Sequence, residues 1–248
     1  METTSAPKIR PTFDDSFGHG WNTLQKYFLV LFLVVIILAV ISSPGPSIKW
    51  SFNSHDFDWR HFDWNHFNFD QFLNWNTAAF GMLAVIAGII ALGYTLLIVP
   101  IFKYGGNLMF VHAARDIKPD FETLIKGFKE NYLHIVLANL LTTALIMMGF
   151  FFLIIPGIIV ACRLAFVSYL VMDKKRDPIV AVEESWKLTS GHGWTIFGMA
   201  IVSFLIYILG FIMCFVGLIP ASIWVKSSFA SLYEAVLIEK NGKEIAVE

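Results

Sequence analysis

Long apolar runs separated by short polar stretches organise this chain. A helix needs about 20 mainly apolar residues to cross the hydrocarbon core of a bilayer. Six runs approach that length: Tyr27–Ser43, Ala78–Phe102, Leu133–Ile155, Gly157–Met172, Thr195–Ile219 and Ala221–Ile238. The first and fourth lie near the lower limit. Only Pro156-Gly157 separates the third from the fourth, and only Pro220 the fifth from the sixth. Proline removes a backbone donor and clashes with the preceding turn. Each of these long runs is therefore read as a tight hairpin rather than one kinked span, which gives about six crossings instead of four.

A repeat underlies the pattern. Gly18-His19-Gly20-Trp21 before the first run recurs as Gly191-His192-Gly193-Trp194 before the fifth, and Asn131-Tyr132-Leu133-His134 takes the same place before the third. A short amphipathic stretch precedes each: Phe13–Phe17, Phe121–Phe128 and Ile179–Leu188. The predicted unit is an interfacial helix, a glycine break, a span out, a turn and a span back. Three such units form one all-α membrane domain. In the first, the outer turn is replaced by a long loop, Pro44–Thr77. The expected organisation is a cytoplasmic N-terminal region over 1–26, a six-span domain over 27–239 that contains the 44–77 loop, and a cytoplasmic tail over 240–248.

Charge agrees with this reading. Only 15% of residues are charged against 56% apolar, where soluble domains carry about a quarter charged. Fourteen of the 18 cationic side chains fall before the first run, between the second and third, between the fourth and fifth, or after the sixth. With six spans all fourteen share one side, so both termini are expected in the cytoplasm. The polar lead containing Asp14 and Asp15, with Ser42-Ser43-Pro44 after the first run, argues against a cleaved signal. A net charge of −1 argues against a nucleic-acid partner. Cys162 and Cys214 lie inside apolar runs and read as small hydrophobes.

Several short motifs carry a family resemblance. They are Pro100-Ile101-Phe102-Lys103-Tyr104-Gly105, the stretch Asp120–Phe128, Ile155-Pro156-Gly157-Ile158-Ile159 and Ala181-Val182-Glu183-Glu184-Ser185-Trp186. Together they resemble uncharacterised families of small polytopic bacterial membrane proteins. The membrane domain found in some glycerophosphodiester phosphodiesterases is similar. The resemblance spans roughly Ala78–Ile238 and implies a fold and a bacterial cytoplasmic membrane. It supplies no catalytic residues, and the chain has no room for a phosphodiesterase domain.

Two features depart from a plain hydrophobic bundle. Arg163 stands seven residues beyond Pro156 and Lys226 six beyond Pro220, about 10 Å along each helix. Intramembrane cations are costly and are functional candidates by default. As a matched pair they would bind a lipid phosphate or small anion at the outer leaflet; the plainer reading, which we favour, is that both snorkel to the outer interface. The second feature is the loop repeat, in which Phe57, Trp59, Phe62, Trp64, Phe67 and Phe69 alternate with acids and amides in five-residue units. Paired aromatics one residue apart point to the same side of an extended strand, so the loop is expected to pack on the outer face or against copies of itself.

No nucleophile, base and orienter set converges, and no metal or phosphate-cradling motif is present. His55, His61 and His66 have spacings that suit polar turns better than a metal, and His19 and His192 read as interfacial residues rather than metal or haem ligands. The expectation is a non-enzymatic, cofactor-free assembly, scaffold or accessory subunit that contacts lipids and self-associates or joins a membrane complex. The alternative is a transporter or pore acting on a lipid or anion through Arg163 and Lys226.

Overall fold

The protein is described here from a computed structural model over residues 10–42, 75–213 and 217–245. Within those residues the regular elements are all helices: α1 (Phe13–Ser42), α2 (Trp75–Gly93), a π-helical turn (Tyr94–Ile98), α3 (Val99–Ala114), α4 (Glu122–Glu130), α5 (Tyr132–Phe152), α6 (Ile154–Arg163), α7 (Val167–Asp173), α8 (Pro178–Thr189), α9 (Gly193–Ile212) and α10 (Leu218–Ile245). Most of the 44–77 loop, with all six of its candidate aromatics, lies outside the described residues, as does Cys214.

Five stretches are long and apolar enough to cross a membrane by length and composition: Phe13–Ser42, Val85–Ala114, Tyr132–Phe152, Ile154–Asp173 and Gly193–Ile212. α10 falls short because its apolar residues are interrupted by Lys226, Ser227, Ser228 and Ser231. Its surroundings explain the composition. α10 packs along α1 and also touches α3 and α9, so it lies inside the bundle, and its small residues let neighbouring backbones approach. A Cβ on Gly20 of α1 would sit 2.3 Å from Ser228 Oγ and 2.7 Å from the Ser228 backbone nitrogen. Only glycine fits there.

That contact corrects the expected break in the first unit. Gly18-His19-Gly20 stays helical, and the chain kinks instead at Tyr27 (φ −115°, ψ 23°). The kink is held from outside: Tyr27 donates to the Asp116 carbonyl at 3.1 Å, and Lys26 pairs with the Asp116 carboxylate at 2.7 Å. The other two predicted breaks fall where expected. Gly191 takes φ +92° between α8 and α9, and Asn131 (φ −139°, ψ 30°) separates α4 from α5.

The hairpin between α5 and α6 turns through a single extended residue, Leu153, before Pro156 rather than at it. Pro156 occupies the first turn of α6, where a missing N–H has no intrahelical partner to lose. Pro220 has the same place in α10. The two arms meet through paired glycines: a Cβ on Gly149 would lie 3.0 Å from the Gly157 Cα. Gly210 and Gly217 join α9 and α10 in the same way, with a Cβ on either one 2.8–2.9 Å from the other's backbone oxygen.

The expected fourth span is not one helix. α6 ends at Arg163, three residues turn, and α7 resumes at Val167. The break frees the Arg163 carbonyl, which accepts from Ser185 Oγ at 2.8 Å and Thr189 Oγ1 at 3.3 Å, both on α8. Buried backbone acceptors require partners of this kind. α8 is thus an integral part of the packing, with Ala181, Ser185, Leu188 and Thr189 buried, rather than a surface helix lying loosely on the bundle.

The core is asymmetric. Phe110 of α3, Phe166, Tyr169 and Leu170 beside or within α7, and Tyr233 of α10 are buried together near the end where α3 and α7 finish. Phe166 and Tyr169 both pack against the Tyr233 ring, with centroids 5.6 and 5.1 Å away. Toward the α5–α6 turn the reverse holds. Met147, Met148, Phe150, Phe151, Phe152, Leu153, Ile154 and Ile155 are exposed, and so are Phe204, Leu205, Leu209, Phe211, Ile212 and Met213 of α9. Large exposed apolar surfaces are rare on soluble monomers.

Candidate functional site: an ion-pair knot and two cation-bearing cavities

Charged residues at the C-terminal ends of α3 and α7 form one knot with Glu234 of α10. Arg115, one residue past α3, donates through Nη1 and Nη2 to both carboxylate oxygens of Asp173 at 2.6 and 2.7 Å, and through Nε to Glu234 at 2.7 Å. Tyr233 donates its hydroxyl to Asp173 at 3.1 Å. The planar guanidinium fork suits two carboxylates approaching from different helices in a way an ammonium cannot. Burial works against the charge on Arg115, but its hydrogen bonds and attraction to Asp173 and Glu234 outweigh burial and raise its hold on the proton. Around the knot lie further pairs: Lys174 and Arg176 with Glu184 at 2.9 and 3.0 Å, His192 with Glu239 at 3.3 Å, and His134 with Asp177 at 2.8 Å. His19 lies 2.9 Å from the Ala114 carbonyl through Nε2. The two Gly-His-Gly histidines therefore have different partners and do not meet.

The two intramembrane candidates also separate. Arg163 borders a cavity of about 590 Å³ between α6 and the start of α9, otherwise walled by Ile155, Ile159, Trp194 and Phe197 among others. Its guanidinium lies over the Trp186 ring of α8, 5.7 Å from the centroid, and Nη1 is buried with no hydrogen-bond partner among the described residues. Arg163 therefore points to the α8 end of its helix, away from the α5–α6 turn. The expected snorkelling toward that turn is corrected, and the cause is the break after Arg163, which folds α8 back against it. Cys162 on the same wall is a half-buried free thiol.

Lys226 lines a different cavity, about 370 Å³, bounded by α1, α3 and α10. Its ammonium sits 5.6 Å from the Phe110 ring centroid. The partner cation facing the same cavity is Lys103 of α3, with Asn107 one turn on. Lys103 escaped attention in the sequence because it reads as an ordinary cytoplasmic cation at the end of a span. The available signal was the i, i+4 spacing of Lys103 and Asn107, which places both on one helix face. Of the Arg115–Asp173–Glu234 knot, only Asp173 had a clear signal, since it directly follows an apolar run.

Residues 142–238, from the middle of α5 into α10, match a family described as a domain of unknown function (DUF7847). The match is shorter than the Ala78–Ile238 stretch carrying the resemblance, and nothing links the chain to the membrane domains of glycerophosphodiester phosphodiesterases. No curated protein and no solved structure matches this chain. That similarity over residues 142–238 attaches no activity to any residue described above.

Proposed function

We propose that this chain is an integral protein of a bacterial cytoplasmic membrane, crossing about six times in three related units with both ends in the cytoplasm, and that it serves as a non-enzymatic assembly or accessory subunit. One observation carries the reading. Exposed apolar side chains line the helices from Leu133 and Trp194 along to Phe152 and Ile212, while Arg115, Asp173, Glu234, Lys174 and Glu184 are spent on one another across elements. Groups paired in this way hold elements together and are not presented to a substrate. α10 is the sixth crossing on this reading; being surrounded by α1, α3 and α9, it tolerates Lys226 and three serines that a lipid-facing helix would not.

The test is topology together with mass. With Cys162 and Cys214 replaced by alanine, single cysteines at Asp15, Asn241 and Asp177 are expected to react with an impermeant thiol reagent only from the cytoplasmic side of sealed vesicles. A cysteine at Phe152 is expected to react only from the other side. Labelling of Asp15 and Asn241 from opposite sides would exclude an even number of spans. Mass after gentle detergent extraction then reads the assembly role: a multiple of the 28.1 kDa chain or a mixed complex is expected, and a monodisperse monomer would overturn it.

A further inference from the structure

The cavity between α1, α3 and α10 holds an arrangement the assembly reading does not use. Two ammonium groups, Lys103 and Lys226, face the same space of about 370 Å³. Among the described residues neither has a carboxylate within ion-pair distance, in contrast to the cations of the Arg115 knot. Lys226 is held in place by the Phe110 ring below it. Asn107 is fixed by donating to Ser168 Oγ at 3.0 Å, which leaves one amide N–H uncommitted. Opposite these groups, Val35 and Leu38 of α1 supply an apolar wall.

Two like charges facing one cavity walled partly by apolar side chains repel; Lys226 is partly withdrawn from water with no counter-charge beside it, and the exposed Lys103 adds to the positive potential it faces. A ligand that brings negative charge spread over several oxygens relieves both costs, because each ammonium offers up to three donors and the oxygens of one group bridge them. We propose that this cavity is a binding site for a phosphate group, with Lys103 and Lys226 as the two charged ligands and Asn107 as the neutral donor. The phosphate belongs either to an anionic phospholipid, whose chains would lie along the α1 wall, or to a small free phosphate. Arg163 is not part of the site: it lies in the separate cavity on α6 and is already stacked on Trp186.

The full-length protein is reconstituted in nanodiscs of phosphatidylcholine with or without phosphatidylglycerol, and retained lipid is counted by native mass spectrometry. In detergent, inorganic phosphate binding is measured by equilibrium dialysis. Loss of one charge-assisted contact weakens such binding about tenfold or more. Wild type is expected to retain phosphatidylglycerol over phosphatidylcholine, to bind inorganic phosphate, or both. K103Q and K226Q are expected to lose about tenfold or more, K103R to keep most of the affinity, and R163Q to match wild type. Competition of inorganic phosphate against phosphatidylglycerol distinguishes the free from the lipid source. Should K226Q fail to fold, wild type supplies the answer: the bound phosphate group should protect Lys226 and Lys103, and not Lys187, from an amine-acylating reagent. Equal retention in wild type and K103Q, or no protection by either probe, would overturn the site. The dialysis arm needs no bilayer, so it succeeds or fails independently of the six-span topology.

Discussion

Replacing Arg115 by methionine tests whether the knot that ties the ends of α3 and α7 to α10 holds the bundle together. Methionine keeps most of the aliphatic stem and removes only the guanidinium. Three charge-assisted hydrogen bonds of 2.6–2.7 Å disappear, and Asp173 and Glu234, each with side chains only 10% exposed, are left facing one another. Breaking a buried pair from one side costs about 3–5 kcal/mol because the remaining charge stays uncompensated. The Arg115 side chain is 25% exposed, so water reaches part of the gap and the lower end applies, about 3 kcal/mol. For a chain of this length that corresponds to a fall of roughly 6–12 °C in melting temperature. R115K keeps the charge but cannot bridge both carboxylates, and should fall by about half as much. The informative variant is R115M/D173N/E234Q, which removes the stranded charges together and should recover most of the loss. Melting followed by tryptophan fluorescence in one detergent ranks all three. If R115M melts within 2 °C of wild type, or the triple variant melts as low as R115M, the knot is not a buried charge network and the reasoning fails.

Three further outcomes follow from the helix contacts. G20A should be the most damaging glycine change, since its Cβ meets the backbone of α10 at 2.7–2.8 Å and neither helix can yield locally; a loss of about 2–3 kcal/mol is expected, read by the same melt. G149A should cost more than G157A, because the first meets backbone whereas the second meets the Phe150 ring, which is exposed and free to swing away; equal losses would refute the hairpin geometry. S185A and T189A should each cost about 0.5–1.5 kcal/mol, and together more than their sum, because only the pair leaves the Arg163 carbonyl without a donor.

The helices were largely legible because apolar length is a property of the sequence itself; the breaks were not, because their positions depend on what packs alongside. Gly18-His19-Gly20 and Gly191-His192-Gly193 are the same motif put to two uses. Gly191 supplies a left-handed turn, and Gly20 supplies close approach of α10 with no turn at all. The first break moved to Tyr27, where contacts from Asp116 hold it, and a partner 89 residues away leaves no local trace. The two prolines were read as turns, yet they start helices; a proline is equally at home in either place, and Leu153 decides between them by taking the extended residue. The break after Arg163 had no signal in its own apolar run, and its cap comes from two hydroxyls on α8.

The same asymmetry governs where function can reside. Arg163 and Lys226 follow Pro156 and Pro220 at nearly the same spacing, and on that ground alone they form a pair. Once α6 stops at Arg163 and α10 runs on past Lys226, the equivalence is lost. One cation is turned onto a tryptophan of α8, while the other remains on a continuous helix that packs against α3. The partner Lys226 acquires there is Lys103, supplied by the distant α3 rather than by the matching position. A site in such a bundle arises where residues with no relation in sequence meet, and not at positions that similar local motifs make alike. That places the chemical interest of this protein at the α1–α3–α10 junction, and it makes Lys103, the less conspicuous of the two lysines, the sharper one to mutate. It lies at the open edge of the cavity, so its loss perturbs the charge there without disturbing the core packing around Phe110.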